Sequence, residues 1–245
     1  MRTSNKILIA TLALFIGCLA YYDFGLKAQY KKGDYTNPYR EFVKLHNRNF
    51  DVIELNSSTA VNIMLVQGPF KILASPYVSD YLRIRQEGNK LIIDAKFPNN
   101  YRGEYSPYIV YVSCPHLSSL KTDAYYMAGD VRVTDTVARD LNWRPTIING
   151  FTADSLDIEE KNAANVVLSN NNIKHLHAIV GQSDRSGSAL TLAQNNRFNS
   201  TDIVILNRSR LWIKGTDVAN INYHLADSAS LMINGAAAKH LLNPK

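Results

Sequence analysis

Four short runs share one pattern: a small residue, then apolar residues at alternate positions. They are Ala164-Asn165-Val166-Val167-Leu168, Ser188-Ala189-Leu190-Thr191-Leu192, Ser209-Arg210-Leu211-Trp212-Ile213 and Ala229-Ser230-Leu231-Met232-Ile233. Their first strictly apolar positions, Val166, Leu190, Leu211 and Leu231, fall 24, 21 and 20 residues apart. Alternation with period two is the pattern of a strand with one buried face. Its recurrence near twenty residues means that one strand-built unit is repeated and must stack on its neighbours to hide its apolar side. The expectation is a strand-based solenoid, a β-helix. Each inward pair is trailed by a further apolar or small residue, Ile173, Phe198, Val218 and Ala238, and then by Leu176, Ile203, Ile221 and Leu241. Coils built this way stack about 4.8 Å apart. Asn170, Asn171, Asn195, Asn196 and Asn220 fall at the expected corners, where asparagine tolerates left-handed backbone and can bond from coil to coil.

Of the 245 residues, 46% are hydrophobic and 20% charged, which suits one sizeable core. Fourteen tyrosines with abundant Val, Ile and Asn favour strands over helix bundles. The net charge is +6, but the basic residues are scattered, as on a solvated surface, and no nucleic-acid-binding motif is present. No nucleic-acid partner is expected. The two cysteines, Cys18 and Cys114, lie in unlike surroundings and offer neither a bridge nor metal-ligand spacing.

The N-terminal segment is a targeting element. Met1 to Lys6 is short and basic, and Ile7 to Tyr22 is apolar but for Thr11. Continuing to Leu26 completes a length able to cross a bilayer, which takes about 20 residues. Residues 1–26 are therefore read as a membrane anchor or signal segment, with an uncleaved anchor preferred. A cleaved export signal ending near Cys18-Leu19-Ala20, or a lipoprotein signal with lipid on Cys18, also fits. Arg2 and Lys6 precede the span while Lys27, Lys31, Lys32 and Arg40 follow it, so charge does not place the body outside the cytoplasm. Residues 27–49 read as a polar linker and residues 50–245 as the folded body.

The body opens with strand candidates at Phe50–Leu55, Val61–Leu65, Phe70–Leu73, Leu82–Ile84, Leu91–Ile93 and Ile109–Val112, with a hairpin turn at Gly88-Asn89. The solenoid pattern is expected to begin at Gly129 to Val133, and Asn142 to Pro145 to form a protruding loop. Phe50-x-x-Ile53, the alternating strand, Gln67-Gly68, Leu91-x-Ile93 and Pro115-His116-Leu117-Ser118-Ser119-Leu120 together resemble the bacterial head GIN domain family, whose members are auto-transporter-adhesin-like, of undefined function and common in Bacteroidetes. The resemblance runs from Phe50 to Leu242. It departs at Thr122 to Gly129, where Asp123 to Tyr126 replace an expected glycine. It implies an all-β, right-handed parallel β-helix preceded by a transmembrane or signal helix, placed outside the cytoplasm in the bacterial cell envelope. It transfers no catalytic residue.

Few residues suggest chemistry. His175 and His177 are two apart and face one way, as a metal pair would, but no matching carboxylate, Cys or third His is evident in neighbouring coils, so a surface pair is expected. Asp157, Glu159 and Glu160 echo the acidic groups of polysaccharide enzymes, yet alternation about Ile158 turns them outward to solvent. Ser183-Asp184-Arg185 lacks a positioned His, and the loop Gly181 to Ser188 reads as a flexible, exposed insertion. Tyr101, Tyr105, Tyr108, Tyr125 and Tyr126 form an aromatic group expected to pack in a core or interface. No catalytic, cofactor-binding or metal residue is assigned and no cofactor is expected. The expected function is that of a non-enzymatic, membrane-tethered envelope protein that binds an envelope glycan or protein. A carbohydrate-active enzyme on the same scaffold is the alternative.

Overall fold

The computed structural model describes residues 2–33, 36–101, 108–137, 144–215, 221–235 and 237–238. Its contacts divide the chain into two units, Met1–Glu41 and Phe42–Lys245.

The first unit is built on helix α1, Thr3–Lys32, none of whose residues is buried. Among the described residues it is the one helix long and apolar enough to cross a membrane. At 1.5 Å per residue it reaches about 45 Å, more than the roughly 30 Å of a hydrocarbon core. The hydroxyl of Thr11, the polar interruption of the apolar run, donates to the Ile7 carbonyl at 3.0 Å and so is satisfied within the helix. The helix runs past Leu26 and ends at Gly33, whose φ of 69° lets its N–H close on the Tyr30 carbonyl. Lys31 and Lys32 in the last turn offset the negative end of the helix dipole.

The second unit is mostly β, with two largely parallel sheets in a solenoid-like arrangement. Among the described residues the nine-stranded sheet runs in the order β1 (Val43–Leu45), β4 (Lys71–Ala74), β7 (Ile109–Cys114), β3 (Asn62–Gln67), β11 (Thr146–Asn149), β13 (Asn165–Ser169), β15 (Ala189–Leu192), β17 (Arg210–Lys214) and β19 (Ser230–Asn234). The ten-stranded sheet runs β10 (Val131–Thr134), β9 (Tyr125–Ala128), β6 (Lys90–Phe97), β2 (Val52–Leu55), β8 (Ser119–Thr122), β12 (Thr152–Glu160), β14 (Asn172–Val180), β16 (Arg197–Ile205) and β18 (Tyr223–Leu225), with β5 (Leu82–Glu87) paired to β6.

From β11 onward the chain alternates between the sheets, and each strand lies beside the equivalent strand of the next coil. Ile63, Thr146, Val166, Leu190, Leu211 and Leu231 form one in-register row. Leu91, Ile53, Leu120, Ile158, Ala178 and Ile203 form a row in the other sheet. The first five residues of the former row and all of the latter are buried, and Leu231 in the last described coil is half-buried. The trailing positions Ile173, Phe198, Leu176 and Ile203 are buried as the pattern requires. Ile221 is half-buried and Ala238 lies in a helical turn, whereas Val218 and Leu241 lie outside the described residues.

Three features depart from a simple pile of coils. Strand β2 lies between β6 and β8, and β3 between β7 and β11, so early strands are flanked by later ones. The residues expected to open the solenoid, Val131 to Val133, instead fold back antiparallel on β9, because Gly129 at φ 60° reverses the chain; Val131 is left 66% exposed. The stretch read as linker contains β1, antiparallel to β4. Two further pairs, β4 with β7 and β5 with β6, are also antiparallel.

Candidate binding surface

The outward face of the ten-stranded sheet carries polar residues in rows, because parallel strands in register bring equivalent positions of successive coils side by side. Asp157, His177 and Asp202 form one such row. The His177 Nδ1 lies 3.2 Å from Asp202 Oδ2, and His175 Nδ1 lies 2.7 Å from Ser200 Oγ. Carboxylates therefore do stand beside His177 in both neighbouring coils, contrary to the sequence reading. The spacings of 20 and 25 residues, close to the coil repeat, are the signal that would have shown them. Among the described residues no group of three or more His, Cys, Asp or Glu side chains converges in a way that could hold a metal ion.

The acidic trio is split. Asp157 is exposed, and Glu159 points outward to Lys121 at 2.8 Å. Glu160 does not face solvent as expected. It continues the inward set of Leu156 and Ile158 and is fully buried between Thr122 and Val180. The two-residue period dictates this: positions 156, 158 and 160 share one face. Among the described residues neither Glu160 carboxylate oxygen has a hydrogen-bond partner, and burial, which disfavours the charged form, pushes its carboxyl well above the ordinary range. Nearby, Lys174 bonds Asp154 at 2.7 Å and holds that carboxyl below its usual range.

The loop from Gly181 to Ser188 is also less free than its composition implies. Ser186 and Ser188 are fully buried, Gly187 bridges to Val137, and the Asn207 amide donates to the carbonyls of Gly181 (2.7 Å) and Ser183 (3.0 Å). Only Gln182, Asp184 and Arg185 are exposed. Cys114 is buried, which pushes its thiol up to about 12 and leaves it inert as a nucleophile. The aromatic group packs as expected: Tyr101 stacks on Phe97 with centroids 3.9 Å apart, with Tyr108 and Tyr126 around them. Tyr125 lies outside this stack under the Arg132 guanidinium at 3.7 Å, and Tyr105 is outside the described residues. Residues 142 and 143 of the expected protruding loop are outside them too, and Arg144 in its described half is buried rather than protruding, with its guanidinium 5.1 Å from the Tyr108 ring centroid.

The corner between the sheets holds a second polar array. Asn170 and Asn195 adopt left-handed backbone, φ 57° and 61°. Their neighbours Asn171 and Asn196 turn inward. The Asn171 Oδ1 accepts from the Phe151 N–H at 2.9 Å, and its Nδ2 donates to the Ile148 carbonyl and to Asn196 Oδ1, both at 3.0 Å. Asn196 Nδ2 in turn donates to the carbonyls of Leu168 and Ala193. An outer ladder runs beside this one, with Asn170 Nδ2 donating to Asn149 Oδ1 at 2.7 Å and Asn195 Nδ2 to Asn170 Oδ1 at 3.0 Å. Between the outer ladder and the start of the next strands lies a groove of about 390 Å³ lined by Asn170, Asn171, Asn172, Asn195, Asn196 and Arg197. Asn220 lies outside the described residues.

No protein-family model matches the chain, so the head GIN resemblance is carried by its residues alone, and no curated protein matches. Among solved structures, a candidate adhesin from Bacteroides fragilis is similar over 79% of this chain and 93% of that one, at 15% identity and a TM-score of 0.49. A candidate adhesin from Parabacteroides merdae is similar over 79% and 95%, at 12% identity and a TM-score of 0.36. One from Parabacteroides distasonis is similar over 79% and 94%, at 12% identity and a TM-score of 0.35.

Proposed function

We propose that this chain is a non-enzymatic, membrane-tethered protein of the bacterial cell envelope, whose solenoid stands outside the cytoplasm and displays an elongated surface for adhesion, scaffolding or contact with a glycan or protein. The observation that carries the tether is helix α1: thirty residues, an apolar run satisfied within itself, and no residue buried. The display role is supported by the outward rows. Their polar groups pair from coil to coil, as Lys121 does with Glu159 and His177 with Asp202, rather than converging on a cleft. The parting of Asp157 and Glu159 from Glu160 supports a non-enzymatic reading. We take the coil as right-handed, the hand that parallel-strand crossovers adopt.

Cell fractionation tests the tether. The full chain is expected in membranes, resistant to salt and alkaline washes and released by detergent. Recovery of the full chain from the cytoplasm would overturn the proposal. Hydrolysis of an acidic polysaccharide, abolished by Asp157→Ala, would replace it with the enzyme reading.

A further inference from the structure

The corner groove has an inventory of groups that differs from the rest of the surface. Asn171 and Asn196 are committed to backbone inside the corner, and both ends of the Asn170 amide are engaged in the outer ladder. Three exposed groups have no hydrogen-bond or ion-pair partner among the described residues: the Oδ1 of Asn195, the side-chain amide of Asn172 and the guanidinium of Arg197. Asn172 and Arg197 are in register on adjacent strands, following Thr152 in the preceding coil. Among the described residues no carboxylate lines the groove. Arg197 therefore differs from Lys121, Lys174 and Lys90, each of which is neutralised by an acid on a neighbouring strand.

We propose that this groove binds an extended acidic polysaccharide, with a uronate carboxylate on Arg197 and ring hydroxyls on Asn172 and Asn195. The proposal rests on the display reading above and names the ligand class for it. Three physical features select this chemistry. A guanidinium offers two parallel N–H donors matched to a carboxylate. A side-chain amide provides donor and acceptor together, as vicinal hydroxyls require. Successive coils repeat at about 4.8 Å, close to the length of one pyranose unit in an extended chain, so a glycan crossing from the coil of Asn172 to that of Arg197 meets equivalent positions with successive sugars. A single-stranded nucleic acid is a poorer fit, since the groove has one cation and no aromatic ring for bases to stack on. A peptide would find no apolar pocket for an anchor.

The test is titration of the full-length protein in detergent micelles with oligogalacturonate, with a neutral glucan of equal length and with oligothymidylate. Wild type is expected to bind oligogalacturonate selectively. Arg197→Gln is expected to weaken that binding by about tenfold or more without changing the thermal midpoint. Asn195→Gly, which keeps the left-handed backbone and removes the amide, is expected to weaken it less. Unchanged affinity in Arg197→Gln, or equal binding of oligothymidylate, would overturn the site. Binding of envelope material that is indifferent to Arg197 and excludes oligogalacturonate would also sink the site while leaving the display reading in place. Loss of membrane retention by the full chain would sink the display reading instead.

Discussion

Leu190 and Leu211 lie side by side on adjacent parallel strands, and neither has any exposed surface. They belong to the row that runs from Ile63 to Leu231, each flanked by a residue of the coil on either side, so each coil's core is its neighbours' core as well.

Damage to that row should therefore spread. Leu211→Ala is expected to cost about 2–5 kcal/mol, as large-to-small changes in close-packed interiors do. Leu211→Asp is expected to unfold the body, because it buries an unpaired charge. Urea denaturation followed by far-ultraviolet circular dichroism reads both. A stable, soluble Leu211→Asp protein would show the row to be turned the other way.

The inward amide ladder is the second point of vulnerability. Asn171→Ala leaves the Phe151 N–H and the Ile148 carbonyl without their side-chain partner inside a buried corner. A loss of about 1–3 kcal/mol is expected for an orphaned buried group, measured by the same denaturation. Asn170→Ala removes only the exposed outer bonds and is expected to cost less than Asn171→Ala.

Glu160 makes stability depend on pH in an unusual direction. Its carboxyl is raised in the folded body from an ordinary value of 4.5, so the folded state holds a proton that the unfolded state has released. Its contribution is thus fully present below about pH 4.5 and is lost as pH rises toward the folded value, by about 1.4 kcal/mol per pH unit for one proton. Glu160→Gln is expected to flatten this slope. Denaturation midpoints measured from pH 4 to 8 check it, and identical slopes in both proteins would show Glu160 to be solvated or paired.

Gly181 occupies a corner that admits no side chain. Its φ is 82°, and an added Cβ would press on Ser209 Oγ and come 2.7 Å from the Leu206 carbonyl oxygen. Gly181→Ala is expected to destabilise the body, whereas Gly88→Ala, at a turn with open space around it, should show backbone strain alone. Comparison of their thermal midpoints separates the two effects.

The later coils were legible because their signal is local and repeated. Val166, Leu190, Leu211 and Leu231 each sit in a two-residue alternation, and the distance between them is the length of a coil. The corner asparagines were legible for the same reason. The insertion of β2 and β3 among strands up to about 80 residues away was not, since parallel pairing between remote segments leaves no trace in either one. Val131 to Val133 misled because alternation marks a strand without saying which neighbour it takes. Asp157, His177 and Asp202 were each visible, but only the coil length, applied to polar as well as apolar positions, brings them into one row. Glu160 is the opposite case: its polarity suggests solvent, whereas the two-residue period it shares with Leu156 and Ile158 puts it inside.

The central claim is a solenoid held outside the cytoplasm with its aliphatic rows hidden. Single cysteines placed in a Cys18→Ser, Cys114→Ala background, which removes both native thiols, and treated with a membrane-impermeant maleimide in spheroplasts test both parts at once. Asn172→Cys is expected to be labelled before lysis, and Leu211→Cys only after denaturation. Labelling of Leu211→Cys in the native protein, or of Asn172→Cys only after lysis, would contradict the account.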